Sequence, residues 1–290
     1  MLAGATGTMG RDIQAPVAAD LHVHSEWSWD AALGSMEKTC ARATELGLKA
    51  VAFTEHADYS PIAAGAKLDI DGYRDSLARC QRLFPHLQLW SGVELGEPHR
   101  FPRAAADVLA RGSFDLVLGS VHCIVADERM VDCSTLGSEN SGSPDQVLRE
   151  YFREMLRLLA TPLEFHVLAH LEYPKRYWPP GVPDYRSEDY RSEIQAVLEL
   201  ASARGIALEL NTTRGIDPGR GLCPSPQVLR WWREAGGRLV SIGSDAHQPE
   251  ALGGGFQLAL AAAEAAGFRT SEMLAAAPPP LPTAAMLSLQ

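Results

Sequence analysis

Ala19-Asp20-Leu21-His22-Val23-His24-Ser25 reads as the first strand of the chain. Side chains on a strand alternate between faces, so His22 and His24 share one face while Val23 points the other way into packing. Two imidazoles side by side at the end of a strand suit one metal ion. The device returns in Ser241-Ile242-Gly243-Ser244-Asp245-Ala246-His247, where Asp245 and His247 share a face. A single His-x-His is a weak signal, because exposed or hydrogen-bonded histidines are common. Its recurrence far along the chain directs attention to the segments between.

Those segments alternate. Apolar, β-branched runs predict strands over Ala19–Ser25, Ala50–Glu55, Leu87–Glu94, Leu116–His122, His166–His170, Ile206–Asn211 and Leu239–Ser244. Amphipathic patterns predict helices over Ser35–Leu46, Gly72–Phe84, Pro102–Ala110, Ser143–Ala160, Ser187–Arg204, Ser225–Ala235 and Gln257–Ala266. Ser143-Pro144 and Ser225-Pro226 place proline at a first helical position. Gly47, Gly205 and Gly236 sit where helices end. Such alternation with short connections implies parallel strands and right-handed crossovers. No glycine fingerprint follows the first strand and no Walker loop is present, which removes support for a nucleotide-binding open sheet. The polar candidates stand at the C-terminal ends of nearly all the strands, and a barrel gathers those ends at one mouth.

The composition is that of a globular protein, with 46 % hydrophobic and 21 % charged residues in a chain of 290. A net charge of −10 argues against a general nucleic-acid binder, which needs basic surface. Cys40, Cys80, Cys123, Cys133 and Cys223 are odd in number and widely spaced, so neither a disulfide framework nor a zinc ribbon is expected. There is no apolar run long enough for a membrane and no signal-peptide pattern, so a cytoplasmic protein is expected. The expected organisation is a flexible extension over 1–17, one barrel domain over 18–274, and a flexible Pro/Ala-rich tail over 275–290.

Walking the predicted strand ends gives His22 and His24 with Asp30 just beyond, then Glu55 and His56, Glu94, His122, His170, and Asp245 with His247. Six of the nine histidines fall at these ends; His86, His99 and His166 do not and are read as loop or core residues. Mixed histidine and carboxylate donors suit zinc, manganese or iron, and a carboxylate can bridge two ions.

Asp20-Leu21-His22-Val23-His24-Ser25, Phe53-Thr54-Glu55-His56-Ala57, Gly92-Val93-Glu94, Gly119-Ser120-Val121-His122, Ala169-His170-Leu171-Glu172-Tyr173-Pro174-Lys175-Arg176-Tyr177 and Gly243-Ser244-Asp245-Ala246-His247 together resemble the motifs of the PHP (polymerase and histidinol phosphatase) superfamily. The segment Val167–Tyr177, with Cys223-Pro224-Ser225-Pro226, is similar to the histidinol-phosphatase branch. The resemblance covers about residues 18–270 and implies an α/β fold: a distorted (βα)7 TIM-like barrel with a trinuclear metal centre at the C-terminal ends of the strands. It implies two to three divalent ions (Zn, Mn or Fe). One would take His22, His24, Glu94 and Asp245; a second Glu94, His122 and His170, with Glu94 bridging; a third Asp30, His56 and His247. Some relatives carry a histidine where Asp30 stands. Many carry Asp where Glu55 stands, and Glu55 is expected to orient His56 rather than to ligate.

Phosphate needs cations beyond the metals. Lys175 and Arg176 follow His170, and Arg214 follows the sixth predicted strand; guanidinium groups match phosphate oxygens as a fork. Trp27, Trp29, Tyr59, Tyr173 and Trp178 lie in mouth loops and could wall a pocket, while Asp58, Glu97 and Glu172 offer partners for an amine. The expected activity is metal-dependent phosphomonoester hydrolysis, with L-histidinol phosphate as leading substrate. Glu94, Asp245 and His247 are the catalytic candidates, and Asp245, His247 or a metal-bound water is the candidate general acid. The alternatives are a PHP phosphoesterase for another small phosphate such as a nucleotide, a C–N metallohydrolase, and a non-catalytic or nucleic-acid-processing module. The expected partner is a small-molecule phosphomonoester, with no nucleic acid and no membrane.

Overall fold

In the computed structural model the strands are β1 (Ala19–Val23), β2 (Ala50–Ala57), β3 (Gln88–Gly96), β4 (Leu116–Ser120), β5 (Cys123–Ala126), β6 (Arg129–Asp132), β7 (Val167–Leu168), β8 (Ala207–Asn211) and β9 (Val240–Gly243). The helices are α1 (Met36–Leu46), α2 (Ile70–Leu83), α3 (Pro102–Arg111), α4 (Pro144–Ala160), α5 (Arg191–Ala203), α6 (Pro226–Glu234) and α7 (Phe256–Ala265). The structure describes residues 19–138, 142–215, 217, 220–275, 277–279 and 281. The expected extension over 1–17 lies outside them, as does most of 275–290.

Seven strands form one parallel sheet in the order β1-β2-β3-β4-β7-β8-β9. The last strand then meets the first at the mouth. Asp245 N–H donates to His22 O at 2.7 Å and His24 N–H to Ala246 O at 2.9 Å, while Ser244 N–H donates to the Asp20 carboxylate at 2.9 Å. These bonds close the sheet into a (βα)7 barrel.

The interior floor is filled mainly by small and branched residues, Ala19, Leu21, Ala50, Ala52, Leu116, Leu118, Val167, Ala169 and Ala207, around the one large ring of Trp90. The opposite faces, including Val51, Phe53, Val93, Leu95 and Val117, pack under the helices. Both faces of the strands are therefore buried, as expected of a parallel sheet wrapped in helices. Between Asp20 and Val23 the register of β1 against β2 slips, a bulge at the level of Leu21 and His22. Bulges re-aim side chains beside functional sites, and here Leu21 joins the floor while His22 turns to the mouth.

The caps follow the sequence. The hydroxyls of Ser35, Ser143 and Ser225 and the carboxylate of Asp69 accept first-turn N–H groups, and Ser143 with Gln146 forms a capping box. Gly47 ends α1 in the left-handed region at φ 74°.

Three features depart from expectation. Residues 123–142 carried no predicted element, yet β5 and β6 form an antiparallel hairpin there. Its turn is Asp127-Glu128, both at positive φ (47° and 63°), a type of turn usually signalled by Asn-Gly. The fifth barrel strand shrinks to Val167–Leu168 because the chain turns at His170, whose φ is 25°. Finally, α5 begins at Arg191 after a separate 3-10 turn over Ser187–Tyr190.

Candidate metal centre

The parallel register builds the site from its floor upward. His56 lies opposite Glu94 across the β2–β3 pair, and Glu94 is fully buried. Around its two oxygens stand five imidazoles. Glu94 Oε2 is 3.1 Å from His22 Nε2, 3.4 Å from His24 Nε2 and 3.2 Å from His56 Nδ1; Oε1 is 2.7 Å from His170 Nε2 and 3.3 Å from His122 Nε2.

The expected donors meet in groups. His22 Nε2 and His24 Nε2 are 3.0 Å apart, and Asp245 Oδ1 lies 3.7 and 3.3 Å from them. His122 Nε2 and His170 Nε2 are 3.3 Å apart beside Glu94 Oε1. Asp30 Oδ2 is 3.4 Å from His56 Nε2 and 3.1 Å from His247 Nε2. The ring of His24 stacks on His56 with centroids 4.1 Å apart, which brings His24, His56 and His247 within one group as well. Donors bound tetrahedrally at metal–ligand distances of 2.0–2.2 Å stand about 3.3–3.6 Å apart. The observed separations bracket that spacing.

The outer ring nitrogens show why these contacts fit a cation. His22 Nδ1 is 2.6 Å from Glu209 Oε1, a carboxylate that can only accept, so Nδ1 carries the hydrogen. The Ser28 hydroxyl donates to Glu55 at 2.6 Å and therefore accepts from His24 Nδ1 at 3.0 Å. Both Nε2 atoms then face each other at 3.0 Å, a contact that a positive charge between them, a proton or a divalent ion, stabilises. Glu55 thus acts through Ser28 on His24, and on His56 only through the backbone N–H that Ser28 also accepts.

The electrostatics agree. Burial opposes charge on His22, but Glu209, Glu94 and Asp245 override it and hold the imidazole well above its ordinary range. Burial likewise opposes charge on His56, yet Asp58, Glu94 and Asp30 lift it to about 9. His170 goes the other way, lowered chiefly by burial. Burial would raise Glu94 and Asp245, but the surrounding imidazoles, with Arg176 at Asp245, hold both well below the carboxylate range. Asp245 is engaged through both of its oxygens. Its Oδ2 is saturated by Arg176 Nη1 at 3.1 Å, Asn211 Nδ2 at 3.2 Å and Thr213 Oγ1 at 3.1 Å, leaving Oδ1 for the imidazoles.

Of the three phosphate candidates, Arg176 alone lines the mouth, in a cavity of about 250 Å³ shared with Asp30, His56, Asp58, His122, Asp132, Ser134, Tyr173, Tyr177, Asp245 and His247 among others. Its Nη2 donates to Asn211 Oδ1 at 2.5 Å, its guanidinium lies over the Tyr173 ring, and its Nε has no partner. Lys175 corrects the expectation. Its ammonium is buried and spent on Glu172 Oε2 at 3.0 Å and Leu222 O at 2.5 Å. Arg214 does not itself line the cavity; its guanidinium lies over the ring of Tyr177, which does, at 5.7 Å.

The amine partners need the same correction. Glu172 is buried among Lys175, Tyr185, Ser187 and Ser225. Glu97, raised by burial to about 7, is buried on the backbone N–H groups of His122 and Cys123. Asp58 reaches the mouth but is committed to His56 Nδ1 at 3.3 Å, His122 Nδ1 at 3.4 Å and Trp29 Nε1 at 2.8 Å. Trp29 and Tyr173 line the mouth, whereas Tyr59 packs on Phe101 and Trp178 on Tyr185. Trp27 lies in an adjoining hollow of about 320 Å³ with Trp29 and Lys67.

Sequence reasoning passed over Glu209, Asn211 and Asp132. Glu209 had a signal, a charged residue at the centre of the apolar run Ala207-Leu208-Glu209-Leu210.

The PHP domain model matches residues 20–213 of this sequence. The chain belongs to the PHP domain family. Among PHP relatives it is similar to a protein of Clostridium acetobutylicum named "Probable histidinol-phosphatase", 28 % identical over 249 residues that cover 84 % of this chain and 92 % of that one. It is also similar to the histidinol-phosphatase of Lactococcus lactis, 26 % identical over 229 residues, 79 % of this chain and 83 % of that one. The crystal structure of histidinol phosphate phosphatase from Lactococcus lactis, complexed with zinc, L-histidinol and phosphate, superposes with a TM-score of 0.76 at 24 % identity, covering 88 % of this chain and 95 % of that one. That likeness supports the barrel fold. No helix among the described residues is long and apolar enough to cross a membrane.

Proposed function

We propose that this PHP protein is a metal-dependent phosphomonoesterase that hydrolyses L-histidinol phosphate to L-histidinol and phosphate. The observation that carries the reading is the convergence at one mouth of three groups: His22, His24 and Asp245; Glu94, His122 and His170; and His56, Asp58 and His122. Asp30 stands beside His56 and His247, and one buried guanidinium, Arg176, lines the same cavity. The relatives named above, one a histidinol-phosphatase and one a probable histidinol-phosphatase, support the reading by likeness over 79 % and 84 % of this chain. A cavity of about 250 Å³ is at the small end for ligand sites and favours a small phosphate over a nucleotide.

In this reading His22, His24, Glu94 and Asp245 hold one ion, Glu94, His122 and His170 a second, and Asp30, His56 and His247 a third. When bound, such divalent ions supply Lewis acidity toward phosphoryl oxygens and acidify water. Arg176, paired with Asp245 at 3.1 Å, anchors and neutralises a phosphoryl oxygen through the part of its guanidinium that lines the cavity. Glu209 fixes the His22 ring and accepts the His170 N–H at 2.7 Å, so one carboxylate orients donors of two groups. Where no third ion would occupy its group, His247, whose Nε2 stands 3.1 Å from Asp30 at the cavity, is our candidate to protonate the departing alkoxide. Burial lowers that imidazole, but Asp30 and Asp245 raise it on balance.

The test is kcat/KM for L-histidinol phosphate against phosphodiesters, nucleotides and amides, with and without chelator. Loss of activity on chelation and its return with zinc or manganese are expected. An enzyme preferring a nucleotide or an amide, or one fully active without metal, would overturn the reading.

A further inference from the structure

The cavity over the donors is lined by groups of both signs. Arg176 carries the positive charge. Asp132, where β6 ends and the chain leaves the hairpin, lines the same cavity. Cys133 N–H donates to His122 O at 2.9 Å, tying this corner to the strand end that supplies a donor.

The Asp132 carboxylate is oriented but not neutralised. Oδ1 accepts Ser134 N–H at 2.7 Å and Oδ2 accepts the Ser134 hydroxyl at 2.6 Å, both from its own turn. Among the described residues it forms no ion pair, and it belongs to none of the donor groups. This separates it from Asp58, which stands in a donor group with His56 and His122, and from Glu97 and Glu172, which are buried and do not line the cavity. Asp132 and Ser134 line the cavity together with Tyr173 and Arg176, and Tyr173 carries the Arg176 guanidinium over its ring. A phosphate drawn to Arg176 would leave its alcohol portion in reach of Asp132.

We infer that Asp132 is the specificity-determining residue for the leaving group, selecting phosphomonoesters whose alcohol carries a protonated amine. The inference rests on the phosphomonoesterase reading and adds to it the class of alcohol. The bipolar cavity offers a cation to the phosphate and an anion to the ammonium. A neutral alcohol would leave Asp132 desolvated without a partner, and an anionic one would be repelled.

The experiment compares L-histidinol phosphate with its deamino analogue, 3-(imidazol-4-yl)propyl phosphate, which lacks only the ammonium. Zinc-loaded wild-type protein should favour the amine at least tenfold in kcat/KM. Asp132→Asn should bring that ratio to near one, and Asp132→Lys should invert it, with metal content equal to wild type. Inhibition of the wild type by L-histidinol and by its deamino counterpart gives the same comparison without a substitution, and a tenfold difference is expected there too. An Asp132→Asn enzyme that keeps the ratio, or that loses both substrates equally, overturns the inference. So does a wild-type ratio near one in either measurement, which would leave the phosphatase reading standing. Failure of wild type to cleave either compound, with turnover of an unrelated ester, would instead sink that reading itself.

Discussion

Glu94 and Glu154 are both fully buried glutamates, and both face the products of one strand end. Glu94 is on β3, and Glu154, on α4, meets the loop that follows β3. Their surroundings differ in kind. Glu154 is met by Arg100, whose Nε donates at 3.0 Å, by Arg157 at 2.6 Å and by His99 Nε2 at 2.6 Å. Its charge is balanced by guanidinium groups that keep their protons at any working pH. Glu94 is met only by imidazoles, whose charge is removable. A carboxylate paired with arginines is finished as a structural element. One ringed by imidazoles is balanced by protons or by a metal, and can exchange one for the other.

The sharpest way to break this contrast is to neutralise each glutamate. Glu94→Gln should lower kcat/KM by about a thousandfold or more, about 4 kcal/mol of transition-state stabilisation, and should lower metal content by emission spectrometry. Glu154→Gln should keep metal and activity while losing about 3 kcal/mol of stability, since it leaves a paired buried cluster without its anion. Full metal content in Glu94→Gln would end the bridging assignment.

Glu209→Gln comes next. It keeps the shape but weakens the charge behind His22, and metal affinity measured by competition with a chelating dye should fall about 10- to 100-fold. Unchanged affinity would make Glu209 a packing residue. Arg176→Ala should cost more than about tenfold in kcat/KM, from about 1.5–3 kcal/mol for a charge-assisted pair, with metal retained. Wild-type kinetics would return Arg176 to a structural tie for Asp245.

Acid sharpens the contrast from the other side. Burial would raise the Glu154 carboxyl, but His99 and Arg100 depress it to about 2. A depressed carboxylate stabilises the fold fully above its unfolded value, near 4.5, and that contribution is lost as pH falls toward 2. In chelator-treated protein the difference in urea midpoint between wild type and Glu154→Gln should therefore hold at pH 6 and vanish by about pH 2. A difference that survives at pH 2 would mean that the charge is not what stabilises. The smallest effect on activity is expected for Asp30→Ala, which should lower the third metal equivalent and leave the Glu94 groups loaded. Loss of all metal from that variant would show the three groups to be one cooperative unit.

The sequence disclosed the donors and the barrel for a common reason. A parallel barrel repeats one unit, and its strand ends meet at one place, so residues marked at each strand end are neighbours without further information. His22, His24, His56, Glu94, His122, His170, Asp245 and His247 are gathered by that rule, whereas Asp30, seven residues beyond β1, came from the family resemblance. What holds them was not legible, because it depends on which side chain faces which across the mouth. Glu209 reaches His22 from 187 residues away. Lys175 and Arg176 are adjacent in a 3-10 turn and point to opposite fates, one buried on Glu172 and the other facing the cavity. Asp132 was hidden by a hairpin whose turn, Asp127-Glu128, lacks the usual glycine.

The seam of the barrel carries a consequence for the order of events in a living cell. β1 and β9 join through bonds at His22, His24, Asp245 and Ala246, the same few residues that assemble the first donor group. A chain still on the ribosome before residue 245 has emerged has neither the seam nor the carboxylate that completes that group. Of the donor groups, only that of Glu94, His122 and His170 and that of His56, Asp58 and His122 are built from residues that precede residue 245. The group at the seam exists only once the barrel has closed.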